Sequence, residues 1–230
     1  MNIQGSLMTP HFLMKLKNIK QEKFYNPILD SDGKFRAVIR FLPAIEGDEF
    51  PWISLFYYSF VGPTGILYEE NSLANIKKPD PVSEYNQKLL SINAKASRDI
   101  VKKQKMKIAY YSNIYVIDDS TNPDNNEKVF ILKYGRTVFR KIVNQMYPEI
   151  ENDMETNVFD LQEGCNFNYY IEDKDGSYEY DRSNFGPVEP LEVDVEKVMS
   201  RAHSLSSMKA PDQFKSYDAL KSHLNNVLGD

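Results

Sequence analysis

Between Arg98 and Lys107 the chain carries five basic residues and one acid, Asp99, and the tyrosines Tyr110 and Tyr111 follow at once, with Tyr115 close behind. Ammonium and guanidinium groups bind phosphate, and a phenol ring offers a flat face on which a base can stack. Their interleaving on one segment is what a single-stranded nucleic acid requires. The candidates here are Lys102, Lys103, Lys105, Lys107, Tyr110 and Tyr111. The same composition also suits a solvated lysine loop leading into an ordinary aromatic strand, and the segment alone does not choose. Two further clusters share its character: Lys133-Tyr134-Gly135-Arg136 and Tyr178-Glu179-Tyr180-Asp181-Arg182. Arg40 lies on the less apolar face of a predicted strand. Each cluster by itself fits core or rim packing; several on neighbouring strands fit a groove of charge and stacking surfaces.

Other chemistries find less support. The chain has one cysteine, Cys165, and its three histidines, His11, His203 and His223, are far apart, so the spacing of a zinc site is missing. Carboxylates cluster at Asp118/Asp119, Glu149–Glu155 and Glu172–Asp181. Paired carboxylates hold Mg²⁺ in nucleases, but these sit in polar, turn-like contexts that read as solvated loops. There is neither a glycine-rich phosphate loop nor a nucleophile elbow, and no general acid–base pair can be nominated.

At 230 residues the chain fits one large domain or two small ones. Its hydrophobic and charged shares, 41% and 27%, are those of a globular protein. Residues 1–115 hold 16 Lys+Arg against 11 Asp+Glu, and residues 116–230 hold 12 against 22, so the halves carry +5 and −10. A net charge of −5 argues against a surface that coats DNA everywhere. One basic groove remains compatible with it, because the field that steers a polyanion is local. The N-terminal segment lacks the uninterrupted apolar run of a signal peptide, and no stretch approaches the roughly 18 apolar residues of a membrane span. A lone thiol suits a reducing compartment, so a cytoplasmic location without membrane attachment is expected.

The elements that must position these residues follow from periodicity. Phe12, Leu13, Leu16 and Ile19, with Lys15, Lys17, Lys20 and Lys23 around them, predict a basic amphipathic arm. From Phe35 the period becomes two, with Phe35, Ala37, Ile39 and Phe41 on one face and Arg36, Val38, Arg40 and Leu42 on the other. Strands are predicted over Trp52–Val61, Ile66–Tyr68, Lys107–Ile117, Lys128–Tyr134, Gly164–Ile171 and Ser177–Tyr180. Arg98–Lys103 is expected as a flexible phosphate-facing loop. Asp80-Pro81 reads as an N-cap and first helical residue, opening a helix through Ile92. Further helices are predicted over Arg136–Met146, near Val193–His203 and over Tyr217–Leu228. Strands with Gly/Pro turns and a helix between late strands predict a mainly β, α+β fold built on a small Greek-key barrel. Alternation puts Tyr110 and Tyr111 on opposite faces and Lys105, Lys107 and Tyr111 on one, which favours Tyr111 as the groove residue.

Six segments carry a resemblance: AVIRFLP (Ala37–Pro43), YYSNIYVIDD (Tyr110–Asp119), EKVFILKYG (Glu127–Gly135), EGCNF (Glu163–Phe167), YDRSNF (Tyr180–Phe185) and DQFKSYDAL (Asp212–Leu220). In this order and spacing the chain resembles the helix-destabilising single-stranded DNA-binding proteins of T-even-type tailed phages. The resemblance implies an OB-fold core that binds single strands, with little sequence preference, during phage DNA replication, recombination and repair in the infected cell. It places Arg40, Lys105, Lys107, Tyr110, Tyr111, Lys133 and Tyr180 at positions similar to the family's DNA-contacting ones, with Tyr85 a further match. The expected organisation is an arm over 1–25, an OB-fold core over 26–215 with an inserted helical and loop subdomain over 69–104, and a C-terminal helix over 216–230.

Three departures stand out. The family holds a structural zinc with one His and three Cys; the matching residues here are Tyr58, Asn71 or a neighbour, Asp80 and Ser83. No zinc or other cofactor is therefore expected, the Asp80 cap and local packing closing the subdomain instead. The family's basic arm for cooperative filament formation is not recognisable, so self-association along DNA rests on Lys15, Lys17 and Lys20. The family's acidic tail, which recruits replication and recombination proteins, has no match up to Asp230. The expected function is non-enzymatic single-stranded DNA binding. The alternatives are an RNA-binding OB-fold, a metal-dependent nuclease and a protein-only scaffold.

Overall fold

The computed structural model describes residues 23–92, 94–149 and 155–229. The basic arm, up to residue 22 and including His11, Lys15, Lys17 and Lys20, lies outside the described residues. The elements in chain order are β1 (Lys34–Phe41), β2 (Ile53–Val61), β3 (Leu67–Asn71), α1 (Pro81–Ser91), α2 (Lys95–Lys103), β4 (Lys107–Asp119), β5 (Val129–Tyr134), α3 (Arg136–Met146), β6 (Cys165–Lys174), β7 (Ser177–Glu179), β8 (Asn184–Val188), α4 (Val195–Met199) and α5 (Tyr217–Leu228), with short 3-10 turns between. The described residues fold into two compact units: those within 23–45, 112–133 and 140–203 form the first, and those within 46–111, 134–139 and 204–229 form the second. The protein is mainly antiparallel sheet with added helices, an OB-like α+β fold, as the strand periods and turn residues predict.

The first unit is organised around β1, which pairs antiparallel with β6 on one side and with the later half of β4 on the other. Its alternation holds: Phe35, Ala37, Ile39 and Phe41 are buried and Arg36 is exposed. Phe41, Phe159, Phe167 and Phe185 meet in tilted and edge contacts with centroids 4.7 to 6.3 Å apart, a geometry that adds to simple area burial. β7 extends the sheet from β6, β8 pairs β6, and β5 pairs β4. The polar connection after β4 is organised by Asp119. Its carboxylate accepts hydrogen bonds from the Tyr25 hydroxyl (2.7 Å), the Asn125 amide (2.8 Å) and the backbone N–H groups of Thr121 and Asn122. The expected solvated carboxylate pair is therefore split: Asp118 is exposed, and Asp119 is buried and fully engaged.

In the second unit β2 pairs with β3 and with the opening residues of β4, placing Ser54 opposite Tyr110 and Ile53 opposite Tyr111. Tyr58, Phe60, Tyr68, Val82, Leu224 and Val227 form its core, with Tyr85 and Met106 packed against it. A Cβ added at Gly62 would lie 2.2 Å from the Val227 carbonyl, so only glycine permits this approach between the β2–β3 turn and α5. The Thr64 hydroxyl donates to the same carbonyl at 2.8 Å.

Two elements differ from the sequence expectation. Arg98–Lys103 is helical, as the later part of α2, rather than a flexible loop; Lys102 and Lys103 in its last turn suit the negative end of the helix dipole. β8 has no counterpart among the predicted strands. Its Gly186-Pro187 erases the alternating pattern, and proline is tolerated at the edge of a sheet.

Candidate nucleic-acid interface

In the second unit α2 ends in Lys102 and Lys103, and Lys105 and Lys107 follow within four residues; all four are exposed. Lys107 opens β4, and three residues later Tyr110 is half-buried. Its ring lies 3.8 Å from that of Phe139 at 7° and 6.0 Å from that of Tyr134 at 20°. Phe139 meets Trp52 edge-on at 5.8 Å, and Trp52 meets Phe50 at 5.5 Å. Phe50 is half-exposed, and Arg136, at the start of α3, is exposed. A run of lysines thus leads into a row of aromatic rings. Phe50, Trp52 and Phe139 escape the sequence reading, because Trp52 reads as the start of a strand and Phe139 as part of an apolar helix face.

Tyr111 takes the other face of β4, as alternation requires, but that face is interior. It is 6% exposed, and burial, with lesser contributions from Tyr57 and Glu69, pushes its hydroxyl up to about 12. The preference for Tyr111 over Tyr110 is thus corrected: Tyr110 is the accessible ring. Tyr134 is buried within the aromatic row, and Tyr85 is half-buried against the core. Between α1 and α2 a cavity of about 400 Å³ is lined by Tyr58, Ser83, Asn86, Gln87, Lys102, Lys105 and Met106. It places two of the predicted lysines beside amide groups able to meet a base edge.

In the first unit Lys133 is exposed on β5. Tyr178, on β7, is 55% exposed. Tyr180 is half-buried, its ring parallel to Tyr169 within 11° at 6.0 Å. Tyr169 is buried, and burial, then Tyr180, raises its hydroxyl well above the ordinary value. Arg182 is exposed and lies over the Tyr170 ring.

Arg40 is the clearest correction. Its side chain is fully buried, with Nε donating to Asn166 Oδ1 (2.9 Å), Nη1 to the Asp160 carbonyl (3.1 Å) and Nη2 to the Glu189 carbonyl (2.8 Å). Burial lowers its pKa, against the opposing pull of Cys165, Glu189 and Asp160, and a guanidinium remains charged in any case. Arg40 pins two distant segments onto β1 and is withdrawn from any ligand. Gly164 lies beside it: a Cβ there would sit 2.1 Å from the Asp160 carbonyl and 3.1 Å from Arg40 Nη1.

The residues matching the family's zinc ligands do not fit that metal. Asp80 Oδ2 accepts from Ser72 Oγ (2.8 Å) and the Leu73 N–H (3.0 Å), and Oδ1 accepts from the N–H groups of Val82 (3.0 Å) and Ser83 (3.2 Å). The Tyr58 hydroxyl and Ser83 Oγ are hydrogen-bonded to each other at 2.7 Å. Asn71 is exposed at the end of β3. A structural zinc takes thiolates and imidazoles; a carboxylate with four donors and a phenol raised by burial, despite its Ser83 bond, offer no such set. Among the described residues no group of three or more His, Cys, Asp or Glu is placed to hold a metal ion.

An OB-like sheet that carries both a run of exposed lysines and a row of aromatic rings defines a class, the β proteins that bind nucleic-acid strands. Residues 33–228 match the family model described as gp32 DNA binding protein like, and the chain belongs to that family. It is 30% identical over 210 residues to the single-stranded DNA-binding protein of Enterobacteria phage T2, and 29% identical over 209 residues to that of Enterobacteria phage T4. Each alignment covers 87% of this chain and 68% of the relative. The family resemblance carried by the six segments is borne out.

Proposed function

We propose that this protein binds single-stranded DNA with little sequence preference and catalyses no reaction. Lys102, Lys103, Lys105, Lys107 and Arg136 engage phosphates in the second unit, and Tyr110 with its aromatic neighbours stacks bases. Lys133, Tyr178, Tyr180 and Arg182 provide contacts in the first unit. The observation that carries the reading is the exposed run Lys102–Lys107 leading within three residues into the Tyr110–Phe139–Trp52–Phe50 row. Membership of a family whose relatives are named single-stranded DNA-binding proteins supports it independently.

The setting that follows is protection of strands exposed in phage replication, recombination and repair in the cytoplasm of an infected cell, with self-association along the strand. Among the described residues no helix is long and apolar enough to cross a membrane. The polar knot at Asp80 supports a fold that needs no metal.

The test is titration with oligo-dT, read by the emission of Trp52, the single tryptophan, at several salt concentrations. A saturable change in emission, with an affinity that falls steeply as salt rises, is expected. No response at low salt would overturn the reading.

A further inference from the structure

Arg36, which belongs to none of the predicted sites, converges with the predicted contact Arg182 on one ring. Arg36 stands opposite Tyr170 in the β1–β6 register, and its Cζ lies 5.5 Å from the Tyr170 ring centroid. Arg182 reaches the same ring from the turn before β8, at 5.4 Å, and its Nη1 donates to the Tyr170 hydroxyl at 3.3 Å. The turn is fixed to the strand: Ser183 Oγ accepts from the Tyr170 N–H and donates to the Tyr170 carbonyl, both at 2.9 Å. Two guanidiniums held this way are no more than about 11 Å apart, on the order of the Debye length at physiological salt, so their fields add. Among the described residues neither forms an ion pair, and both are exposed.

Both arginines line a cavity of about 330 Å³ with Tyr170, Asn168 and Asp118. Two cations and one carboxylate leave a single net positive charge. Stacking on Tyr170 holds the guanidiniums in place, so little freedom is lost when an anion binds. From this arrangement we infer that Arg36, Tyr170 and Arg182 form a subsite for one phosphodiester of a bound single strand. The net charge matches a phosphodiester monoanion better than a free phosphate dianion. The inference rests on the single-strand reading and adds Arg36 to it.

The experiment is oligo-dT titration over a salt series with wild type, Arg36→Gln, Arg182→Gln and the double variant, alongside Arg36→Lys and Asp118→Asn. A melting curve for each verifies folding. Each Gln substitution is expected to flatten the slope of log K against log[salt] by up to about 0.7, the lysine variant to retain the slope, and Asp118→Asn to tighten binding at low salt. Unchanged slopes in folded Gln variants, with wild type binding normally, would overturn the subsite and leave the single-strand reading intact. Failure of wild type to bind oligo-dT would remove both. Calorimetric titration with inorganic phosphate separates the sources: phosphate binding abolished in the double variant, with an unaltered oligo-dT slope, would make this a free-anion site and overturn the strand contact.

Discussion

The rings of Tyr110 and Phe139 lie face to face, 3.8 Å apart and 7° from parallel. One strand residue and one helix residue, distant in sequence, thereby build one aromatic platform, and Trp52, edge-on to Phe139, and Phe50 continue the row. A preformed platform binds bases without first ordering its own side chains.

Tyr110→Ala is expected to weaken oligo-dT binding by roughly 1–3 kcal/mol, the range for losing one base-stacking ring. Phe139→Ala should weaken it as well, because it removes the support of Tyr110. Tyr111→Ala should behave differently, lowering the melting temperature through a core cavity while the folded fraction keeps its affinity. Equal affinity losses in the Tyr110 and Tyr111 variants, measured under conditions where both are folded, would sink this division.

Alternation alone is enough to separate Tyr110 from Tyr111, and to give β1 its buried Phe35, Ala37, Ile39 and Phe41. The Asp80-Pro81 pair announces the start of α1 for a local reason, since an N-cap needs only its own helix. What alternation cannot say is which face of a strand distant segments will cover. Arg40 is buried because the chain around Asp160 and Glu189 closes over it, and nothing near Arg40 in sequence signals those segments. Tyr110 owes its environment to Phe139 on α3 for the same reason. α2 is easily passed over because its residues, KASRDIVKK, are mostly polar and read as a charged loop, although Ala96 and Ile100 lie four apart on one face of a helix.

In the proposed interface the lysines act through charge, so salt dependence distinguishes them from the rings. Replacing Lys102, Lys105 or Lys107 by Ala should flatten the slope of log K against log[salt] by about 0.7 for each phosphate that is no longer neutralised. Tyr110→Ala should lower affinity with the slope nearly unchanged. A lysine whose removal leaves the slope intact does not touch a phosphate.

Arg40→Met tests the reassignment of that residue. Three internal acceptors lose their donor, and a destabilisation of about 2–4 kcal/mol is expected from chemical denaturation. The refolded variant should bind oligo-dT with the wild-type salt slope. A stable variant with a flattened slope would return Arg40 to the interface.

The proposed closure of the subdomain without metal predicts that chelators leave the melting temperature and oligo-dT affinity unchanged, and that elemental analysis of protein purified without chelator finds no stoichiometric zinc. Asp80→Ala removes the acceptor of four hydrogen bonds and should destabilise by about 2–3 kcal/mol, as expected for buried donors left unpaired. Unfolding by a chelator would show that a metal holds this region.

Acid sensitivity should trace to Asp119. Burial pushes its carboxyl up, but hydrogen bonds from Asn125, Tyr25, Asn122 and Thr121 outweigh that, and its pKa lies below the ordinary value of 3.8. A carboxylate with a depressed folded-state pKa binds its proton less readily in the native protein than in the unfolded chain. Its contribution is therefore fully present above the unfolded value and is lost as pH falls through the folded one. Asp119→Asn should accordingly be less stable than wild type at pH 7, and the gap should narrow as the pH drops below about 4. Denaturant unfolding of both proteins at pH 7 and pH 3 measures this directly. A gap of constant size would mean that the Tyr25–Asp119 contact stabilises the fold through something other than the carboxylate charge.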